Sequence, residues 1–180
     1  MSLCAQFSIA ANAAVAPSLK RNLSMPKLTR PLRSVLYIPG SKDRALDKAR
    51  GLACDAIIFD LEDAVTPDEK AAARDTLAQA LKTGGYGKRY KVVRINGLDT
   101  EWGTADAKAA AQMDADAILL PKVNSPQDLD AVAKITGDTP RWAMMETPLA
   151  MLNAAAIAAH PQLQAMEMGP NDLAKDLRTR

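Results

Sequence analysis

Histidine and cysteine are nearly absent from this sequence, which has one histidine, His160, and two cysteines, Cys4 and Cys54, in 180 residues. The cysteines are far apart and have no partners at metal-ligand spacing, so a disulfide scaffold and a zinc site are excluded and a reducing compartment is expected. His160 stands before a proline at the end of an alanine-rich stretch and reads as a helix-end residue rather than a ligand. No apolar run approaches the roughly 20 residues of a membrane-spanning helix, so no membrane partner is expected. There is no phosphate-cradling glycine motif after a strand and no nucleophile elbow. Gly84-Gly85-Tyr86-Gly87 follows a helical pattern and reads as its stop.

What is present is the composition of a globular domain, 48% hydrophobic and 24% charged, long enough for a real core but short of the roughly 250 residues of an eight-unit barrel. The net charge of +2 is split along the chain. Residues 1–42 hold six of the 23 basic residues and no acid, leaving 17 against 21 acidic residues in 43–180, a net −4. The mildly acidic body gives no reason to expect nucleic acid. Residues 1–32 are expected to form a basic, disordered tail, with 33–180 as the folded domain. The compartment expected is the cytoplasm, or an organelle matrix if the Ala-, Ser- and Asn-rich start serves as a transit peptide.

Strand-like apolar runs begin near residues 34, 56, 91, 117, 142 and 164, with a helical pattern after each. Thr66-Pro67-Asp68-Glu69 and Ser125-Pro126-Gln127-Asp128 are helix openers with proline at the first helical position. The runs are continuously apolar instead of alternating, as strands buried on both faces are. Six βα units and a parallel sheet follow. Pattern alone does not separate an open sheet from a barrel.

Almost every predicted strand ends in polar or charged groups: Tyr37, then Asp60, Glu62 and Asp63, then Arg94 and Asn96, then Lys122, Glu146, and finally Asn171 and Asp172. In parallel α/β folds the carboxyl ends of the strands form the ligand-binding mouth. Arginine ending a buried strand needs an anion, and its fork suits either a substrate carboxylate or the Asp60–Asp63 acids. Carboxylates so crowded raise one another's pKa unless a cation is present. Mg2+ suits such a rim, and Glu146 and Asp172 are placed to share one.

Taken together, Arg33-Ser34-Val35-Leu36-Tyr37-Ile38-Pro39-Gly40, Asp60-Leu61-Glu62-Asp63, Val93-Arg94-Ile95-Asn96, Leu120-Pro121-Lys122-Val123, Met145-Glu146-Thr147 and Gly169-Pro170-Asn171-Asp172-Leu173 resemble the citrate lyase beta-subunit-like branch of the HpcH/HpaI aldolase family. The resemblance covers Arg33 to the end, in the family's order. It implies a (β/α)8 TIM barrel, trimeric or hexameric, that uses Mg2+, with Mn2+ as the alternative ion. The implied reaction makes or breaks a carbon–carbon bond in a 3-hydroxyacyl-CoA thioester such as citryl-, malyl- or citramalyl-CoA, giving acetyl-CoA and a 2-oxo acid. By position, Glu146 and Asp172 are the expected metal ligands and Arg94 the clamp on the substrate carboxylate. Glu62 and Asp63 are the acids expected to hold metal-bound water. Tyr37 is expected at the substrate, and Lys42 and Arg44 where the CoA phosphates approach.

The family's chain continues beyond the six units visible here, with the last barrel strands and a segment that reaches a neighbouring subunit with a catalytic acid. The expected architecture is therefore an incomplete barrel. Two other readings stand beside the lyase: an aldolase acting on free 2-oxo acids without CoA, and a non-catalytic module that keeps the metal and 2-oxo acid site.

Overall fold

A computed structural model describes residues 30–179. Residues 1–29, and with them most of the expected basic tail, lie outside the described part. Six strands alternate with helices: β1 Val35–Pro39, α1 Asp43–Ala49, β2 Ala56–Asp60, α2 Lys70–Thr83, β3 Tyr90–Arg94, α3 Gly103–Ala110, β4 Ala117–Leu120, α4 Pro126–Thr136, β5 Arg141–Met145, the short α5 Pro148–Leu152 and α6 Ala154–Ala158, β6 Leu163–Met168 and α7 Pro170–Asp176. Pro67–Glu69 forms a 3-10 turn leading into α2. The stop at Gly84 follows from its positive φ of 73°.

All strands are parallel and lie in the order β1-β2-β3-β4-β5-β6. Every helix from α1 to α6 contributes to one buried apolar layer, packed on Ile57, Phe59, Val93, Ile118, Ala143 and Met145 of the sheet. The other face carries a smaller cluster, Ile58, Val92, Ala117, Leu119, Trp142 and Met144, made from strands alone. Sequential order with α1 to α6 on one side is barrel winding; a doubly wound sheet would cover both faces. The architecture is thus α/β of TIM-barrel type, open between β1 and β6. The continuously apolar central strands are explained by these two layers, since β2 to β5 pack outward on helices and inward on one another along the sheet.

The inner face leads directly to the expected mouth. Along β2 the inward residues are Ile58 and then Asp60; along β3, Val92 and then Arg94; along β5, Trp142, Met144 and then Glu146. Strand alternation lifts the charged groups onto the rim of the interior. β6 reaches this phase through a register shift at Arg141/Trp142, after which Trp142 pairs with Ala165 and Met144 with Glu167. Without the extra residue, Glu167 would face outward. Among the described residues no helix is long and apolar enough to cross a membrane.

Candidate active site

Arg94 is at the centre of the rim. Its Nε donates to Asp60 Oδ1 at 2.8 Å and a terminal nitrogen to Asp60 Oδ2 at 2.5 Å, a two-pronged pair. The remaining terminal nitrogen lies 2.9 Å from Glu62 Oε2 and 3.3 Å from Asp63 Oδ2. The guanidinium carbon sits 5.2 Å from the Tyr37 ring centre, over its face. Burial alone would lower the pKa of Arg94, but the Asp60 hydrogen bonds and the three carboxylates outweigh it and hold the charge. Of the two partners open to Arg94 from the sequence, the fold supplies the Asp60–Asp63 acids. One terminal nitrogen, facing Glu62 and Asp63, is the part turned toward the mouth.

The loop after β2 is built to present these acids. Asp60 also accepts the N–H groups of Glu62 and Ala64, at 2.8 and 3.0 Å. The buried Lys70 ammonium caps the Leu61 and Glu62 carbonyls at 3.0 and 2.7 Å. Lys70 is a supporting residue with no distinct signal along the chain, because it reads as an ordinary helix lysine. The Glu62 carboxyl is the one poised near neutrality: burial pushes it up to about 7, Arg94 opposes this, and Asp63 and Glu146 add to it. Its Oε2 is buried, and the nearby Arg94 nitrogen is not aligned to donate to it. Asn96, by contrast, turns away from the mouth to bond Leu61 O and the buried Asp106, which Arg74 neutralises.

Glu146, 3% exposed, follows β5 and accepts the Lys122 backbone N–H at 2.7 Å on Oε1. Lys122 adopts a left-handed φ of 49° to aim that N–H. Burial raises the Glu146 pKa, the Lys122 N–H opposes it, and the charge of Asp172, in the first turn of α7, raises it further. Gly169 explains how β6 comes so close. A Cβ there would stand 2.5 Å from Glu146 Cβ and 2.8 Å from its Oε2. Glu146 Oε2 therefore faces a space that any side chain at 169 would fill. Two carboxylates beside such a space are hard oxygen donors of the kind that bind Mg2+ while leaving positions for substrate oxygens. Among the described residues no group of three or more His, Cys, Asp or Glu is assembled as a ligand set.

Tyr37 stands on the rim, 40% exposed beside Arg94, its hydroxyl pKa raised by partial burial and by the Glu167 carboxylate. Glu167 was missed by reading strand ends alone. The signal was a lone acid inside Ala165-Met166-Glu167-Met168, placed inward by the register shift. Lys42 pairs with Glu69 at 2.8 Å on the surface, and Arg44 is exposed next to it.

The HpcH/HpaI aldolase/citrate lyase family model matches residues 33–180. The chain belongs to this family. Among curated relatives, (3S)-malyl-CoA thioesterase of Cereibacter sphaeroides is 65% identical over 83% of this chain and 53% of its own length. Citrate lyase subunit beta of Escherichia coli is 34% identical over 84% and 54%. A solved citrate lyase beta subunit from M. tuberculosis, complexed with oxaloacetate and magnesium, superposes with a TM-score of 0.69 at 31% identity, covering 81% of this chain and 61% of that one. The chain spans about half the length of the curated family members it matches. Of these relatives, the first is named for a CoA thioester and the solved one holds oxaloacetate and magnesium.

Proposed function

We propose that this chain performs Mg2+-dependent carbon–carbon cleavage, or its reverse, on a 3-hydroxyacyl-CoA thioester of malyl type. The observation that carries the reading is the mouth of β5 and β6, where the bare Cα of Gly169 lets β6 close on the Glu146 carboxylate and the charge of Asp172 acts on that same group. Mg2+ held by Glu146 and Asp172 would act as a Lewis acid on the hydroxyl and carboxylate oxygens of the acyl group. Glu62, with its pKa near 7, accepts the hydroxyl proton as that oxygen becomes a carbonyl. The bond between the hydroxyl-bearing carbon and the carbon next to the thioester breaks. Its electron pair stays on the thioester fragment as an enolate, which an acid then protonates to acetyl-CoA. The Arg94 nitrogen that faces Glu62 and Asp63, on a fork held rigid by Asp60, positions the substrate carboxylate by exchanging its contact with these acids for one with the substrate. Lys42 and Arg44 lie on the β1 side, where CoA phosphates would approach. The malyl-type acyl group is favoured by the 65% identical thioesterase and by a 36% identical L-malyl-CoA/beta-methylmalyl-CoA lyase.

The name of the 65% identical relative favours a second reading, hydrolysis of the thioester to malate and free CoA. Incubating the chain with Mg2+ and (3S)-malyl-CoA separates the two. Carbon–carbon cleavage gives acetyl-CoA and glyoxylate in equal amounts with no free thiol; hydrolysis gives thiol and malate in equal amounts. Neither product pair would sink both readings for this chain.

A further inference from the structure

The end of β6 meets Glu146 in one particular register. Met145 pairs with Met168, so the next residue on each strand sets Gly169 against Glu146, and the Gly169 N–H donates to the Met145 carbonyl at 3.1 Å. That pairing depends on one extra residue in β6. Arg141 pairs with Leu163 but Trp142 with Ala165, which leaves Gln164 without a partner across the ladder. Counted from Leu163 without the extra residue, Met168 would stand against Glu146. A Cβ on the residue opposite Glu146 would lie 2.5 Å from Glu146 Cβ and 2.8 Å from its Oε2, so a methionine there would drive the carboxylate out of position. Asp172, in the first turn of α7, would shift along the chain by the same step.

The extra residue is held by its side chain. Gln164 Oε1 accepts the Tyr90 hydroxyl at 2.6 Å and the Trp142 indole N–H at 3.0 Å. These donors come from β3 and β5, and their rings stack with centres 5.9 Å apart and planes 12° from parallel. The other neighbour of the Tyr90 hydroxyl, the Asp116 carbonyl oxygen, is farther at 3.2 Å. One side-chain oxygen thus ties the bulge of β6 to two strands of the inner face. Ala165 also packs on the inner cluster, so Gln164 and the residue after it both turn inward, two residues facing one across the ladder. Alternation then carries Glu167 inward and Met166 and Met168 outward.

We propose that Gln164 is a positioning residue of the candidate metal site: its amide oxygen, bound by Tyr90 and Trp142, fixes the β6 bulge that brings Gly169, and with it Asp172, into register with Glu146. This role rests on the metal reading above for its functional consequence, while the register itself is measurable without metal.

Calorimetric titration of Mg2+ and amide hydrogen exchange, both on the full chain, test this in the parent, Gln164→Leu, Gln164→Glu and Tyr90→Phe, with thermal melts reporting that each is folded. Gln164→Leu is expected to bind Mg2+ about tenfold more weakly, the scale of a disturbed ligand support, and to exchange the Gly169 N–H faster than the parent. Gln164→Glu keeps an acceptor for both donors and is expected to restore both readings. Tyr90→Phe removes one of the two bonds without touching β6 and is expected to move both readings the same way by less; if Gln164→Leu does not fold, this variant decides. Parent-like Mg2+ affinity and Gly169 exchange in Gln164→Leu and Tyr90→Phe would overturn the role, as would equal losses in Gln164→Leu and Gln164→Glu. If the parent chain binds no Mg2+, the metal reading falls and Gly169 exchange still decides the register: faster in Gln164→Leu and recovered in Gln164→Glu upholds it, unchanged in every variant overturns it.

Discussion

At the scale of single residues, two side chains give measurable handles. The Glu62 carboxyl is raised from 4.5 to about 7, mainly by burial, so the folded chain holds that proton more tightly than the unfolded one. Its contribution is therefore most favourable below pH 4.5, declines from there to about pH 7 and is flat above. Glu62→Gln, melted in metal-free buffer, is expected to lose this slope and to gain stability relative to the parent as pH rises, on the order of 3 kcal/mol as an upper bound. Parallel pH profiles for the two proteins would refute the assignment. Gly169 has an ordinary negative φ of −101°, so its role is space rather than backbone freedom. Gly169→Ala should push Glu146 aside and cost tenfold or more in Mg2+ affinity, a magnitude typical of disturbed ligand orientation. Calorimetry on Gly169→Ala at unchanged Tm would show it; unaltered Mg2+ binding would count against Glu146 as a ligand.

At the scale of elements, the rim is held by helix and loop starts. In α4, Asp128 binds the N–H groups of residues 124 and 125 from inside the first turn, the arrangement expected from Ser125-Pro126-Gln127-Asp128. Asp128→Ala should cost about 1 kcal/mol, read as a fall in Tm of about 2–4 °C. The other opener behaves differently. Thr66 caps no helix with its side chain, and Pro67–Glu69 makes a 3-10 turn instead, while Glu69 turns out to pair with Lys42. Local sequence preferences are equal in the two cases. What differs is the contact made by the third residue of the turn: Glu69 bonds Lys42 before α1 in addition to Thr66.

At the scale of the whole molecule, six strands wound as a barrel leave the outer edges of β1 and β6 unpaired with each other. Leu36 on β1 and Met166 and Met168 on β6 are 38%, 38% and 54% exposed, with Leu177 of α7 at 52%. Apolar edge strands recruit further chains. Light scattering is expected to show concentration-dependent association that Leu36→Lys with Met168→Lys reduces; an association unchanged by the lysines would place it elsewhere. The sequence by itself determined the six βα units, their parallel order and the gathering of Asp60, Glu62, Asp63, Arg94, Glu146 and Asp172 at one mouth, because hydrophobic period and proline- or serine-marked helix starts are local signals. Only the tertiary structure decided that the helices cover a single face, which makes the winding a barrel, because a strand buried on both sides reads the same in either architecture. It also decided that Arg94 spends two of its nitrogens on Asp60, that Lys70 braces the loop after β2, and that Glu167 points inward. Each of these depends on which neighbour a side chain meets across the sheet or, for Glu167, on one extra residue in the β6 register, and neither is encoded in the spacing of residues along the chain.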